Sequence, residues 1–114
     1  PATGNRMASE QPALEYLYQA IGRHRLGLDM EATRQRLWAM RDTPPSALAA
    51  LTLPVLCITG EEDVVMPTPA IETLVGLLPK GRLARVPKAG HSVYFERPDI
   101  FNRLVGEYLR EVDG

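Results

Sequence analysis

Pro54 is followed by four apolar residues in a row, Val55-Leu56-Cys57-Ile58, and the run closes on Thr59-Gly60. A strand with one wet face alternates apolar and polar side chains, whereas a strand covered on both faces need not. A short unbroken apolar run bounded by Pro and Gly therefore predicts a doubly covered strand, the kind found in parallel sheets with helices packed on their faces. The residues that follow supply those helices. Pro67-Thr68-Pro69 restarts the chain, with Thr68 as cap and Pro69 at the first helical position. Ile71, Leu74, Val75 and Leu78 give that helix one apolar face, and Pro79-Lys80-Gly81 stops it. Arg82 to Val86 then reads as a second short strand, with Leu83, Ala84 and Val86 as its apolar members. Pro98 and Asp99 open a final helix that carries Ile100, Phe101, Leu104, Val105, Tyr108 and Leu109. Strand, helix, strand, helix in that order predicts an α/β arrangement of two parallel strands with crossover helices.

The residues before this unit are different in kind. Residues 1 to 8 read as an irregular lead-in. Ser9 is a plausible helix N-cap with Glu10 in the first turn, followed by Leu14, Leu17, Tyr18 and Ile21 at helical spacing to about Arg23. Gly27 interrupts the pattern, and Asp29 is placed to cap a second helix ending near Arg41. In that helix Met30, Leu37, Trp38 and Met40 gather toward one side. Thr43-Pro44-Pro45 is a stop, because consecutive prolines cannot continue a helix, and Ser46 can cap a short turn from Ala47 to Leu51. The expected division is a helical segment over residues 1–45 and the strand–helix unit over 46–114.

Composition removes several function classes. A formal net charge of −1 over 114 residues, with its basic residues dispersed, leaves no basic surface for nucleic acid. The longest apolar stretches fall far short of the ~20 residues that span a bilayer, so no membrane partner is expected. Cys57 is the single cysteine, which excludes an internal disulfide and a multi-cysteine zinc site and suits a reducing cytoplasm. The first residues lack the apolar core of a signal peptide, and the chain does not begin with Met, as expected after processing or cleavage from a longer polypeptide.

Chemistry enters at the ends of the two predicted strands. Gly60-Glu61-Glu62-Asp63 delivers a carboxylate just past the first, and Ala89-Gly90-His91 delivers an imidazole in the loop after the second. Ligands of open α/β sheets bind beyond the carboxyl ends of the strands. Neighbouring strands lie ~4.8 Å apart, so two such loops can bring their side chains together. A carboxylate that accepts the imidazole proton fixes the tautomer and steadies the cation formed when the histidine takes up a proton.

Leu53-Pro54-Val55-Leu56-x-Ile58-x-Gly60-x-x-Asp63-x-x-x-Pro67 resembles the penultimate strand and acid turn of the α/β-hydrolase family. Ala89-Gly90-His91, then Glu96-x-Pro98-x-x-Phe101-Asn102 on an amphipathic helix, is similar to that family's histidine loop and last helix. The resemblance covers roughly residues 46 to 112. It implies the C-terminal portion of an α/β-hydrolase sheet, preceded by helices of a cap or lid.

The resemblance also implies cleavage of ester, lactone or related acyl bonds in a small-molecule substrate, by a nucleophile–Asp–His triad. Asp63 would orient His91 and His91 would shuttle the proton, without metal or organic cofactor. Relatives with this arrangement include C–C bond hydrolases, epoxide hydrolases, dehalogenases and cofactor-free peroxidases. The family's G-x-S-x-G elbow does not occur here: only Ser9 and Ser46 precede Asp63, and neither has flanking glycines. The chain alone is expected to be inactive. Its expected partner is an N-terminal half carrying the elbow, with self-association as the other way to cover Val55 to Ile58. The rival expectation is a non-catalytic, hydrolase-like binding or assembly module.

Around the pair, Met66, Val93 and Trp38 are candidate substrate contacts, Trp38 along with Met30 and Met40 if the first helices form a lid. Glu61 and Glu62 read as solvated turn residues, Cys57 as a small core residue, His24 as exposed, and Glu96 as an anchor for the loop or a cap for the last helix.

Overall fold

The computed structural model describes residues 2–24 and 27–114. In chain order the elements are α1 (Asn5–Glu10), α2 (Pro12–Arg23), α3 (Met30–Ala39), a 3-10 turn (Pro45–Ala50), β1 (Val55–Gly60), α4 (Thr68–Leu77), β2 (Gly81–Val86), α5 (Val93–Glu96) and α6 (Pro98–Asp113). The strand–helix unit forms as its residue pattern predicts. β1 and β2 pair in parallel from Val55 opposite Gly81 to Gly60 opposite Val86. α4 is the crossover and packs on both strands, while α6 lies against β1.

The core sits where the strands end. Val86, Ala89 and Val93 are buried, with Ile58, Ile100, Phe101 and Leu104 packed around them. The turns that carry Asp63 and His91 therefore stand directly on the best-packed part of the molecule. Further along β1, Leu56 and Ile58 join Phe101, Val105, Tyr108 and Leu109 of α6 around an open apolar groove of about 430 Å³.

Helix beginnings depart from the expectations at three places. Ser9 caps nothing; it lies inside α1, where its hydroxyl donates back to the carbonyls of Asn5 and Arg6. α2 starts instead at Pro12 after Gln11, because a proline without an N–H fits a first turn and breaks any helix that tries to run through it. Residues 5–10 are thus a separate short helix and not a lead-in. Thr68 is the first residue of α4 and not its cap; its hydroxyl turns toward the Gly60 carbonyl, 3.5 Å away. The turn after Pro44 has no side-chain cap, so Ser46 does not serve as one.

Asp29 does cap α3, its Oδ1 accepting from the Glu31 and Ala32 N–H groups at 3.1 and 3.0 Å. Gly27 takes a left-handed φ of 69°, which suits its role as the break. α3 makes no extensive contact with another element among the described residues. Leu37 and Trp38 on it and Met40 just past its end are exposed, and Trp38 stacks under the guanidinium of Arg41.

Candidate active site

Beyond Gly60 the β1–β2 pairing continues for another step. The Glu61 N–H donates to the Val86 carbonyl at 3.0 Å and the Glu62 N–H to the Ala89 carbonyl at 2.9 Å. This continuation ties the acid turn to the histidine loop backbone to backbone. It demands glycine: a Cβ on Gly60 would collide with the carbonyl oxygens of Ala89 and Gly90. Gly90 is equally confined, since a Cβ there would lie 2.6 Å from the Gly4 nitrogen and 2.7 Å from the Ala2 carbonyl oxygen.

Asp63 closes its turn by donating its N–H to the Gly60 carbonyl at 3.1 Å. Its two carboxyl oxygens then divide the work. Oδ1 accepts from the N–H groups of Val65 and Met66 at 2.8 and 2.9 Å, the side-chain turn that Asp favours in such loops. With Oδ1 fixed, Oδ2 faces Nδ1 of His91 at 2.9 Å. The ionised carboxylate only accepts, so in the neutral imidazole Nδ1 carries the proton and Nε2 on the far side holds the free lone pair. The Asp63 side chain is 6% exposed and that of His91 42%. The carboxylate is thus shielded, and the imidazole is accessible from the side away from it.

Burial alone would raise the pKa of Asp63. The Met66 N–H, the His91 ring and the Val65 N–H outweigh it and hold the carboxyl below its ordinary value of 3.8. The acid therefore stays charged wherever a neutral histidine has catalytic use.

The histidine loop is held from several directions. The His91 N–H donates to the Ala2 carbonyl at 2.6 Å. Glu96, 1% exposed, accepts the Gly4 N–H on Oε1 at 2.6 Å and the Gly90 N–H on Oε2 at 3.0 Å. The anchoring role expected of Glu96 is observed; capping α6 is not, because that helix has no side-chain cap. Glu62 is also engaged, accepting the Asn5 N–H at 2.7 Å, and is not the solvated turn residue its position suggested. Ser92 is buried, and its hydroxyl bonds Tyr18 of α2 at 2.7 Å. The Tyr18 ring meets Phe95 edge-on, with centroids 5.2 Å apart.

The residues proposed for substrate contact fall in different places. Met66 is exposed in the turn that Asp63 organises. Val93 is 5% exposed and belongs to the core. Trp38 stands on α3, 63% exposed. A mostly apolar cavity of about 390 Å³ instead lies between α2 and α5, lined by Tyr18, Ile21, Gly22, Tyr94 and Phe95. The sequence signal for it was present in the stripe Leu14, Leu17, Tyr18, Ile21, which reads first as plain core packing. The four-residue helix α5 that supplies the other wall is too short to leave a periodic pattern.

No family model matches the sequence. Comparison with individual proteins is informative. The chain is 33% identical over 88 residues, 77% of its length, to BpoC of Mycobacterium tuberculosis, which bears the name of a non-heme bromoperoxidase. It covers 30% of that protein. The solved structure of BpoC superposes with a TM-score of 0.77 and 25% identity over 97% of this chain and 42% of BpoC. RutD of Yersinia enterocolitica, named as a carbamate hydrolase, is 28% identical over 87% of this chain and 40% of its own length. A thermophilic esterase from Thermogutta terrifontis superposes with a TM-score of 0.62 at 30% identity, over 65% of this chain and 27% of the esterase. The chain belongs to the α/β-hydrolase family. It spans less than half the length of each of these relatives.

Proposed function

We propose that Asp63 and His91 are the acid and the base of a nucleophile–Asp–His triad that cleaves ester, lactone or related acyl bonds. The nucleophile comes from an elbow-bearing segment that these 114 residues do not contain. The observation that carries this is the 2.9 Å contact between His91 Nδ1 and Asp63 Oδ2, with Asp63 Oδ1 already pinned by two backbone donors. Such an arrangement aims Nε2 outward as a general base and offers a fixed negative charge to the imidazolium formed when it takes the nucleophile's proton. The same nitrogen then returns the proton to the leaving group. Esterase and carbamate hydrolase names among the relatives support acyl transfer as the reaction class.

The cavity between α2 and α5 begins at Tyr94, three residues after His91, and fits the apolar portion of such a substrate, while Met66 offers an apolar contact beside Asp63. Residues 1–45 serve as the lid over that region. The elbow-bearing segment adds a strand against β1, covering the groove lined by Leu56, Ile58, Phe101 and Tyr108.

Native mass spectrometry of the protein purified from its source tests the assignment, followed by hydrolysis of aryl esters by the same material. A second polypeptide containing a G-x-S-x-G or G-x-D-x-G sequence, with turnover confined to the assembly, is expected. Only copies of this chain, with no turnover, would reject the triad and leave a binding module.

A further inference from the structure

The loop from Lys88 to Glu96, which carries His91, is tied to the acid turn through the Ala89 carbonyl and to α2 through Ser92. Three further contacts fix its backbone, and all come from the residues just before α1 or within it. Arg6 donates from Nε to the Lys88 carbonyl at 3.3 Å and from an Nη to the Glu96 carbonyl at 2.6 Å, joining the two ends of the loop. The Ala2 carbonyl receives the His91 N–H. Glu96 spans the gap between loop and segment, one carboxyl oxygen on Gly90 N–H and the other on Gly4 N–H. Met7, fully buried, seats the segment.

We propose that Glu96 is a positioning residue for His91: it buckles the segment Ala2–Met7, the stem of the lid, onto the histidine loop, so that lid seating and the Asp63–His91 geometry are coupled. The proposal rests on the triad reading of that pair. A buried carboxyl group that spends both oxygens on backbone N–H groups of two distant segments cannot keep both bonds if either segment leaves. If the stem lifts, Gly4 releases Glu96, Arg6 releases both ends of the loop, and the His91 N–H loses its acceptor. The imidazole then loses the fixed backbone that holds Nδ1 opposite Asp63.

Amide hydrogen exchange by NMR on the full 114-residue chain tests this, together with the His91 ring N–H resonance. Glu96→Gln keeps the shape but turns an NH2 toward one of the two N–H groups whichever way it lies. It should speed exchange at Gly4, Gly90 and His91 by about tenfold or more, leave the β1 amides of Cys57 and Thr59, which face β2, unchanged, and broaden the His91 Nδ1–H signal. Arg6→Gln, which removes the guanidinium from both ends of the loop, should affect the same amides. Unchanged exchange at those three amides in both variants would overturn the proposal. So would equal acceleration of the β1 amides in both, which marks a purely structural role.

Asp63→Asn separates the two readings. It should remove the ring N–H resonance and leave Gly4 and Gly90 protected. A wild-type chain that lacks the resonance while Gly4 and Gly90 respond to Glu96→Gln would refute the pair and retain the buckle.

Discussion

Alanine at Gly60 and alanine at Gly76 should move stability in opposite directions. At Gly60 the added methyl meets the carbonyl oxygens of Ala89 and Gly90 and lies 2.7 Å from the Ala89 carbonyl carbon. All three are main-chain atoms in a loop held by Glu96 and Arg6, so no flexible side chain can give way. Overpacking of this kind costs about 1–3 kcal/mol. Opening the loop also stretches the 2.9 Å bond between the Glu62 N–H and the Ala89 carbonyl, worth about 1 kcal/mol. The expected loss is therefore about 2–4 kcal/mol, a drop in Tm on the order of 10 °C or more. Gly76 sits on the exposed face of α4 with nothing within 4 Å of a built Cβ. There alanine should add about 0.5 kcal/mol by restricting the unfolded chain. Urea unfolding followed by far-UV circular dichroism measures both. A Gly60→Ala chain within about 0.5 kcal/mol of wild type would refute the backbone-to-backbone contact between the acid turn and the histidine loop.

Two further predictions concern the site. Because the folded pKa of Asp63 lies below 3.8, its ionised form contributes stability that is fully present above the ordinary carboxylate pKa and is lost as pH falls through the lowered value. The stability gap between wild type and Asp63→Asn should hold level above about pH 5 and shrink below pH 3.8; urea titrations at a series of pH values read it directly. Tyr18→Phe leaves the buried Ser92 hydroxyl without its tyrosine partner and should cost about 1–2 kcal/mol. Ser92→Ala on that background should cost much less than on the wild type, as a double-mutant cycle would show.

The strand–helix unit was legible because its signals are local and redundant. Val55 to Ile58 is unbroken apolar, the two prolines around Thr68 mark a helix start, and the α6 stripe repeats over sixteen residues. The meeting of Asp63 and His91 was legible because each lies in a glycine-containing loop after a strand; Gly60 is required by the contact between the two turns, and Gly90 by the close approach of residues 2–4. The helix starts before residue 50 were read less well. Ser9 is a good capping residue, but Pro12 three positions on decides where the helix begins. The seat of the histidine loop was legible only in Glu96, expected as its anchor; the segment it is anchored to was not. The bonds from Glu96 and Arg6 join residues about 90 positions apart, and no periodicity links a glutamate in the loop to a glycine near the start of the chain. Val93 was expected at the substrate because it neighbours His91 in sequence. The first turn of α5 directs it into the core instead.

The triad assignment is tested most directly by the rate of ester hydrolysis in the assembly of this chain with its elbow-bearing segment, compared between wild type and His91→Ala. The His91 side chain is accessible and outside the packed core, so the variant should unfold within about 1 kcal/mol of wild type. Its kcat should fall by a factor on the order of 10⁴ or more, as expected when the base of such a triad is removed. A stable His91→Ala assembly that keeps kcat within about tenfold of wild type would contradict the role assigned to His91.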